Sequence, residues 1–156
     1  MLEKDEFWMR AAITAAHQAR ELDEVPIGAS IVSDQSEHIA TAFNRTISDS
    51  DPTAHAEILV LREAAAKIGN YRLTGTTLYT TIEPCVMCAG ALVNARVKRL
   101  VFGAFDDRFG AVATLFRLCD HESLNHKLEI SSGVLAEECR EIMQDFFHRR
   151  RGEQRP

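Results

Sequence analysis

His55 and Glu57, in Thr53-Ala54-His55-Ala56-Glu57, and Cys85 and Cys88, in Glu83-Pro84-Cys85-Val86-Met87-Cys88, are residues whose types and spacing can do chemistry. One imidazole and two thiolates are donors that zinc takes readily, and a site with only three protein ligands keeps a fourth position open for water. There the pKa of water falls from about 15.7 to about 7, which leaves a useful fraction of hydroxide at neutral pH. Glu57 stands two residues from a ligand and binds no metal in this reading. It is free to carry the water's proton to a leaving amine. The chemistry that follows is hydrolytic removal of an amino group.

Singly, these pieces are weak. A Cys-x-x-Cys pair also suits a redox dithiol or half of a structural zinc site. A closed structural site would want a fourth protein ligand, and Cys119, Cys139, His121 and His126 have no ligand-like spacing to the pair. Jointly they match the known signature of zinc nucleobase deaminases, His-x-Glu followed by Pro-Cys-x-x-Cys. The local backbone agrees. Pro84 suits a first helical position, after which Cys85 and Cys88 share one helix face. The positive end of that helix favours the thiolates that bind metal. Asp51-Pro52-Thr53 reads as a second helix start, with His55 and Glu57 in or just before its first turn. Residues two apart on a regular helix point about 200° apart. The turn is therefore expected to be irregular, or the two side chains to reach the ion from different sides.

The surrounding pattern supplies the scaffold. Apolar Phe7, Trp8, Ala11, Ala12, Ala15, Ala19 and Leu22 recur at three and four, an amphipathic helix over 5–22 that packs on a sheet. Residues 27–32 and 38–43 read as a hairpin, and a helix over 53–68 ends at Gly69-Asn70. A strand over 76–82 runs into the cysteine helix, and a strand over 99–102, closed by Gly103, follows it. Strand, helix, strand implies a parallel pair with a crossover helix. A polar loop over 103–110, a short helix near 113–118, a strand near 128–134 and a helix over 136–150 complete the chain. The fold class is α/β, a mixed five-stranded sheet with helices on both faces. Ligands in such sheets bind beyond the carboxyl ends of parallel strands, where both helix starts fall.

A chain of 156 residues suits one domain, 1–156 with an ordered core over about 5–150, and needs no disulfide. Cys119 and Cys139 are expected to be buried small hydrophobes in a reducing compartment. The charged start, Met1-Leu2-Glu3-Lys4-Asp5-Glu6, has no apolar run behind it for a signal peptide or membrane span, so the protein is expected to be cytoplasmic and without a membrane partner. A net charge of −5 argues against a general nucleic-acid coat protein. Yet His148-Arg149-Arg150-Arg151 lies beside Phe146-Phe147, and Arg with an aromatic is how single-stranded RNA is gripped. The same phenylalanines equally fit the last core residues of a helix.

Asn44-Arg45, Asp51 to Glu57, Asn70-Tyr71-Arg72-Leu73, Glu83 to Ala91 and Val101-Phe102-Gly103-Ala104 occur in that order. With them the chain closely resembles the bacterial tRNA-specific adenosine deaminases, nearly end to end. The resemblance implies a cytidine-deaminase-like three-layer α/β/α fold, a homodimer, one Zn2+ per subunit and a tRNA anticodon stem-loop as substrate. It implies conversion of the wobble adenosine to inosine, with a hydroxide adding to C6 of adenine. His55, Cys85 and Cys88 then match the zinc ligands and Glu57 the proton shuttle, which protonates the ring nitrogen and then the departing amine. Asn44 matches the asparagine that contacts the target nucleoside, and Asp106 an aspartate in the loop facing the neighbouring nucleotide. This loop departs from the family pattern: Phe105 and Phe109 are bulkier, and Arg108 stands where lysine is common. Two rivals bracket the reading: a deaminase of free guanine, cytosine or deoxycytidylate, and a zinc module with no chemistry.

Overall fold

In the computed structural model, which describes residues 2–153, helix α1 (Leu2–Glu21) precedes a hairpin of β1 (Gly28–Val32) and β2 (His38–Phe43). Then come α2 (Ala56–Ile68), β3 (Thr77–Ile82), α3 (Val86–Asn94), β4 (Arg99–Ala104), β5 (Glu129–Ser132) and α4 (Ala136–Glu153). Residue 1 and residues 154–156, the ends of the expected 1–156 domain, lie outside the described residues. The strands form one sheet in the order β2-β1-β3-β4-β5, with β1 antiparallel to both neighbours and β3, β4 and β5 parallel. The parallel pair and its crossover helix stand as the sequence predicts.

Each face of the sheet buries one layer of apolar side chains. Ala29, Ile31, Leu78, Leu100 and Phe102 pack with Val60, Leu61, Ala64, Ala89 and Leu92 of α2 and α3. Val32, Tyr79, Val101 and Ala104 pack on the other face with Met9, Ala12 and Ile13 of α1 and Cys139 and Ile142 of α4. Strand alternation divides most of the two sets, because successive side chains of a strand point to opposite faces; Ala104, the last residue of β4, joins the second set out of that alternation. Among the described residues no helix is long and apolar enough to cross a membrane.

Two expectations need correction, and one open alternative is decided. Gly103 lies inside β4 and does not close it. A Cβ there would run into Cys139 of α4 and the carbonyl of Thr81, so the glycine lets helix and sheet approach. No helix forms near 113–118; those residues are turn and coil, with three successive N–H groups aimed at one side chain described below. Phe146 is fully buried, its ring covered by the Arg150 guanidinium at 5.2 Å, so it belongs to the core and cannot stack on RNA. Cys119 and Cys139 are buried as expected, and burial pushes both thiols up to about 12.

One buried ion pair ties α1 across the sheet. Arg99 donates to both Asp5 oxygens at 2.8 and 2.7 Å and to Ser131 Oγ at 2.9 Å, while the Tyr79 hydroxyl donates to Asp5 at 2.9 Å. Burial pushes the Asp5 carboxyl up, but the hydrogen bonds from Arg99 and Tyr79 and the Arg99 charge outweigh it, leaving it below its ordinary 3.8. A depressed folded pKa means that this contribution is present above pH 3.8 and is lost as pH falls through the folded value. Removing one partner strands a buried charge. Arg99→Ala should therefore cost about 3–5 kcal/mol in urea unfolding at neutral pH. The penalty should shrink once Asp5 is protonated, and the double variant Asp5→Asn, Arg99→Met should recover most of it.

Candidate active site

Register brings the site together. Phe43 pairs with Gly28, Ala29 with Thr80, Thr80 with Phe102 and Ile82 with Ala104. The carboxyl ends of β2, β3 and β4 therefore lie at one end of the sheet, and Asn44, Glu83 to Cys85, and Phe105-Asp106 follow them directly.

The two ligand-bearing helices begin later than their sequences suggest. Thr53 does not start α2: Asp51 accepts hydrogen bonds from the Thr53 N–H and hydroxyl, both at 2.8 Å, and holds a turn. His55 is then the N-cap of α2, with extended backbone at φ −77° and ψ 150°. The difficulty of two side chains about 200° apart on a helix thus disappears, since His55 is not helical and Glu57 is in the first turn. Likewise Cys85, not Pro84, borders α3, as an N-cap at φ −76° and ψ 178°, and Cys88 follows in the first turn. Pro84 precedes the cap. Two helix N-termini thus face the same spot, and their dipoles favour thiolate there.

His55 Nδ1 lies 3.6 Å from Cys85 Sγ and 3.5 Å from Cys88 Sγ. For zinc–sulfur bonds of about 2.3 Å and a zinc–nitrogen bond of about 2.0–2.1 Å, the nitrogen–sulfur edge of a tetrahedron is about 3.6 Å. The three donors lie within 4.8 Å of one another, and among the described residues no fourth ligand joins them. The donor set thus fits zinc with a position to spare. The hydrogen bond from Cys88, with the hydrogen bond and charge of His55, outweighs burial and draws the Cys85 thiol down to about 4; the same sharing and burial push Cys88 up. His55 is raised, chiefly by its bond to Cys85.

Glu57 is buried, and burial pushes its carboxyl up to about 7. Its Oε1 has no hydrogen-bond partner among the described residues. An orphaned buried oxygen costs about 1–3 kcal/mol of desolvation, a cost a purely structural site has no reason to carry. Asn44 is buried too, and its Oδ1 accepts the Ala56 N–H at 2.7 Å, between His55 and Glu57. It therefore substitutes for the side-chain cap that His55 does not provide, and its amide NH2 is left to donate. Asp106 is half-buried; its Oδ1 accepts the N–H groups of Arg108 and Phe109 at 3.0 and 3.1 Å, shaping the loop that carries it.

Two carboxylates escaped the sequence reading. Glu24, fully buried, accepts the N–H groups of Ile47 and Ser48 at 3.1 and 2.6 Å and pins the loop that leads to His55. Glu83 accepts N–H groups from Asp106, Val112, Ala113 and Thr114. In each, burial pushes the carboxyl up, and the hydrogen bonds outweigh it to leave the group below its ordinary range. Glu83 carried a signal, its place beside Pro84-Cys85; Glu24 carried none.

A five-stranded sheet of this order, with three soft donors and a free carboxylate at its carboxyl end, defines a zinc-dependent deaminase of the cytidine-deaminase class. The family described as the cytidine and deoxycytidylate deaminase zinc-binding region matches residues 2–104. A tRNA-specific adenosine deaminase of Haemophilus influenzae is 50% identical over 153 residues, 98% of this chain and 88% of the relative. One from Bacillus subtilis is 48% identical over 94% of this chain and 90% of its own. A solved structure described as a study of A-to-I editing by tRNA:A34 deaminases at the wobble position superposes with a TM-score of 0.83 at 44% identity, over 87% of this chain and 98% of that one. A guanine deaminase from Nitrosomonas europaea superposes at 0.79 with 25% identity, over 90% of this chain and 83% of that one. The chain belongs to the tRNA-specific adenosine deaminases within the cytidine and deoxycytidylate deaminase family.

Proposed function

We propose that this protein hydrolyses adenosine 34 of a tRNA anticodon to inosine and ammonia, with His55, Cys85 and Cys88 holding one Zn2+ and Glu57 moving the protons. The observation that carries the reading is the orphaned Glu57 oxygen beside three convergent soft donors. When bound, zinc supplies a water acidified to a pKa of about 7. Glu57 would take a proton from the attacking water, hand it to ring nitrogen N1 as the C6–O bond forms, and carry the second proton to the 6-amino nitrogen, whose bond to C6 breaks to release ammonia. Burial, which pushes this carboxyl up, makes it a readier proton acceptor than an exposed glutamate. Asn44 donates its free amide to the nucleoside, and Asp106 faces the neighbouring nucleotide. An anticodon loop is already single-stranded, so turning one base into the site costs only a few kcal/mol.

Substitution of Asn44 separates its two duties. Asn44→Asp keeps the oxygen that caps α2 and removes the donor. Its zinc content should stay close to that of the parent and its melting temperature should fall by no more than the cost of burying a capping carboxylate, while kcat/KM on the stem-loop falls at least about tenfold, the worth of one good hydrogen bond to a buried partner.

The enzyme is proposed to be a cytoplasmic homodimer of one domain per chain, in keeping with the family resemblance. Zinc-loaded protein incubated with an anticodon stem-loop carrying adenosine 34 should form inosine there and leave guanine, cytosine and deoxycytidylate untouched. Its activity should fall steeply with salt at subsaturating RNA. Turnover of a free base without turnover of the stem-loop would reverse the assignment.

A further inference from the structure

We propose that Glu83 is a positioning residue for the RNA: its carboxylate locks the 105–114 loop to the cysteine helix and so sets where the flanking nucleotides meet the protein. The inference rests on the tRNA reading above. Glu83 is buried, and its own N–H donates to the Ala104 carbonyl at 2.9 Å, extending the parallel ladder one step past β3. Its Oε1 accepts the Asp106 N–H at 3.1 Å and the Thr114 hydroxyl at 2.5 Å. Its Oε2 accepts the N–H groups of Val112, Ala113 and Thr114 at 3.1, 2.8 and 3.0 Å. The Pro84 carbonyl adds the Ala111 N–H at 2.9 Å.

Both ends of the loop therefore close on one side chain, which uses all the acceptor sites a carboxylate has. Between those ends, Phe109 and Arg108 are exposed, and just before the first of them Phe105 is half-exposed with its ring edge-on to Phe102 at 5.2 Å. Rings and a guanidinium on a loop beside the site are what single-stranded RNA stacks on. The loop has no helix or strand of its own; Asp106 and the Gly110 N–H shape its tip, and Glu83 fixes where both its ends sit against β3 and α3. Gly110 reports how tight the lock is: a Cβ there would overlap the Glu83 carboxyl and the Asp106 carbonyl. Cys85 is two residues along the chain from Glu83, so one rigid segment carries both a zinc ligand and the loop's anchor. Loosening the anchor moves the RNA contacts while leaving the metal donors in place.

Glu83→Gln and Gly110→Ala, made separately in the full-length zinc-loaded protein, test this. Each should raise KM for the anticodon stem-loop about tenfold, a change of about 1.4 kcal/mol, with kcat reduced no more than about twofold and one zinc retained per chain. Amide hydrogen exchange should speed up at Asp106 and at 112–114, with the amides of α3 unchanged. An unaltered KM in both variants, or zinc lost in step with affinity, would overturn the proposal. Should Glu83→Gln fail to fold, Gly110→Ala decides alone. If the unsubstituted protein makes no inosine, the tRNA reading fails by itself, and the exchange experiment still decides whether Glu83 holds the loop.

Discussion

Glu57→Gln should lower the single-turnover rate of inosine formation by at least about 10²–10⁴-fold, the contribution typical of a positioned general acid or base. The substitution keeps the volume and removes the ability to take and return a proton. It should leave one zinc per chain, because Glu57 is outside the group of three donors. It should also leave thermal stability equal or slightly higher. Burial disfavours the charged carboxylate at this position, and a neutral amide of the same shape carries no such penalty. Loss of rate with zinc and fold intact distinguishes a proton shuttle from a member of a structural staple, in which the same substitution would change nothing. Affinity for the stem-loop should survive, so the variant can be used to trap the complex.

Removing the metal has the second largest expected effect, and it acts on both activity and stability. Exhaustive chelation should abolish turnover, and stoichiometric zinc should restore it. Since zinc binds the folded donor set, holding it at about a thousandfold above its dissociation constant adds about 4.1 kcal/mol to stability. For a chain of this length each kcal/mol moves the melting temperature by about 2–4 °C, so the zinc-loaded protein should melt about 10 °C above the stripped one. Cys85→Ala and Cys88→Ala should reproduce the stripped state and gain little from added zinc. Full activity after chelation would remove the basis for the chemistry.

The sheet was legible because its strands are short β-prone runs bounded by turn residues, and because strand, helix, strand admits few topologies. The metal group was legible because its donors come from two local motifs, so little depended on long-range structure. The helix starts were less so. His55 and Cys85 are N-caps with extended backbone, and neither type is a customary cap; the capping at α2 comes from Asn44, twelve residues upstream. A short helix near 113–118 was expected, but the N–H groups of 112–114 turn inward to Glu83 instead of starting a helix. Glu24 and Glu83 act through contacts with loops more than twenty residues away, which no periodicity encodes. Phe146 and Arg150 pair with each other, so a cluster that reads as an RNA grip in one dimension is partly spent on the core.

X-ray absorption at the zinc edge of the purified, active protein tests the central claim most directly. The account predicts two sulfur donors and one imidazole nitrogen from the protein, with a single light donor that exchanges when a substrate analogue binds. Four protein donors, or a zinc shell without sulfur, would contradict it.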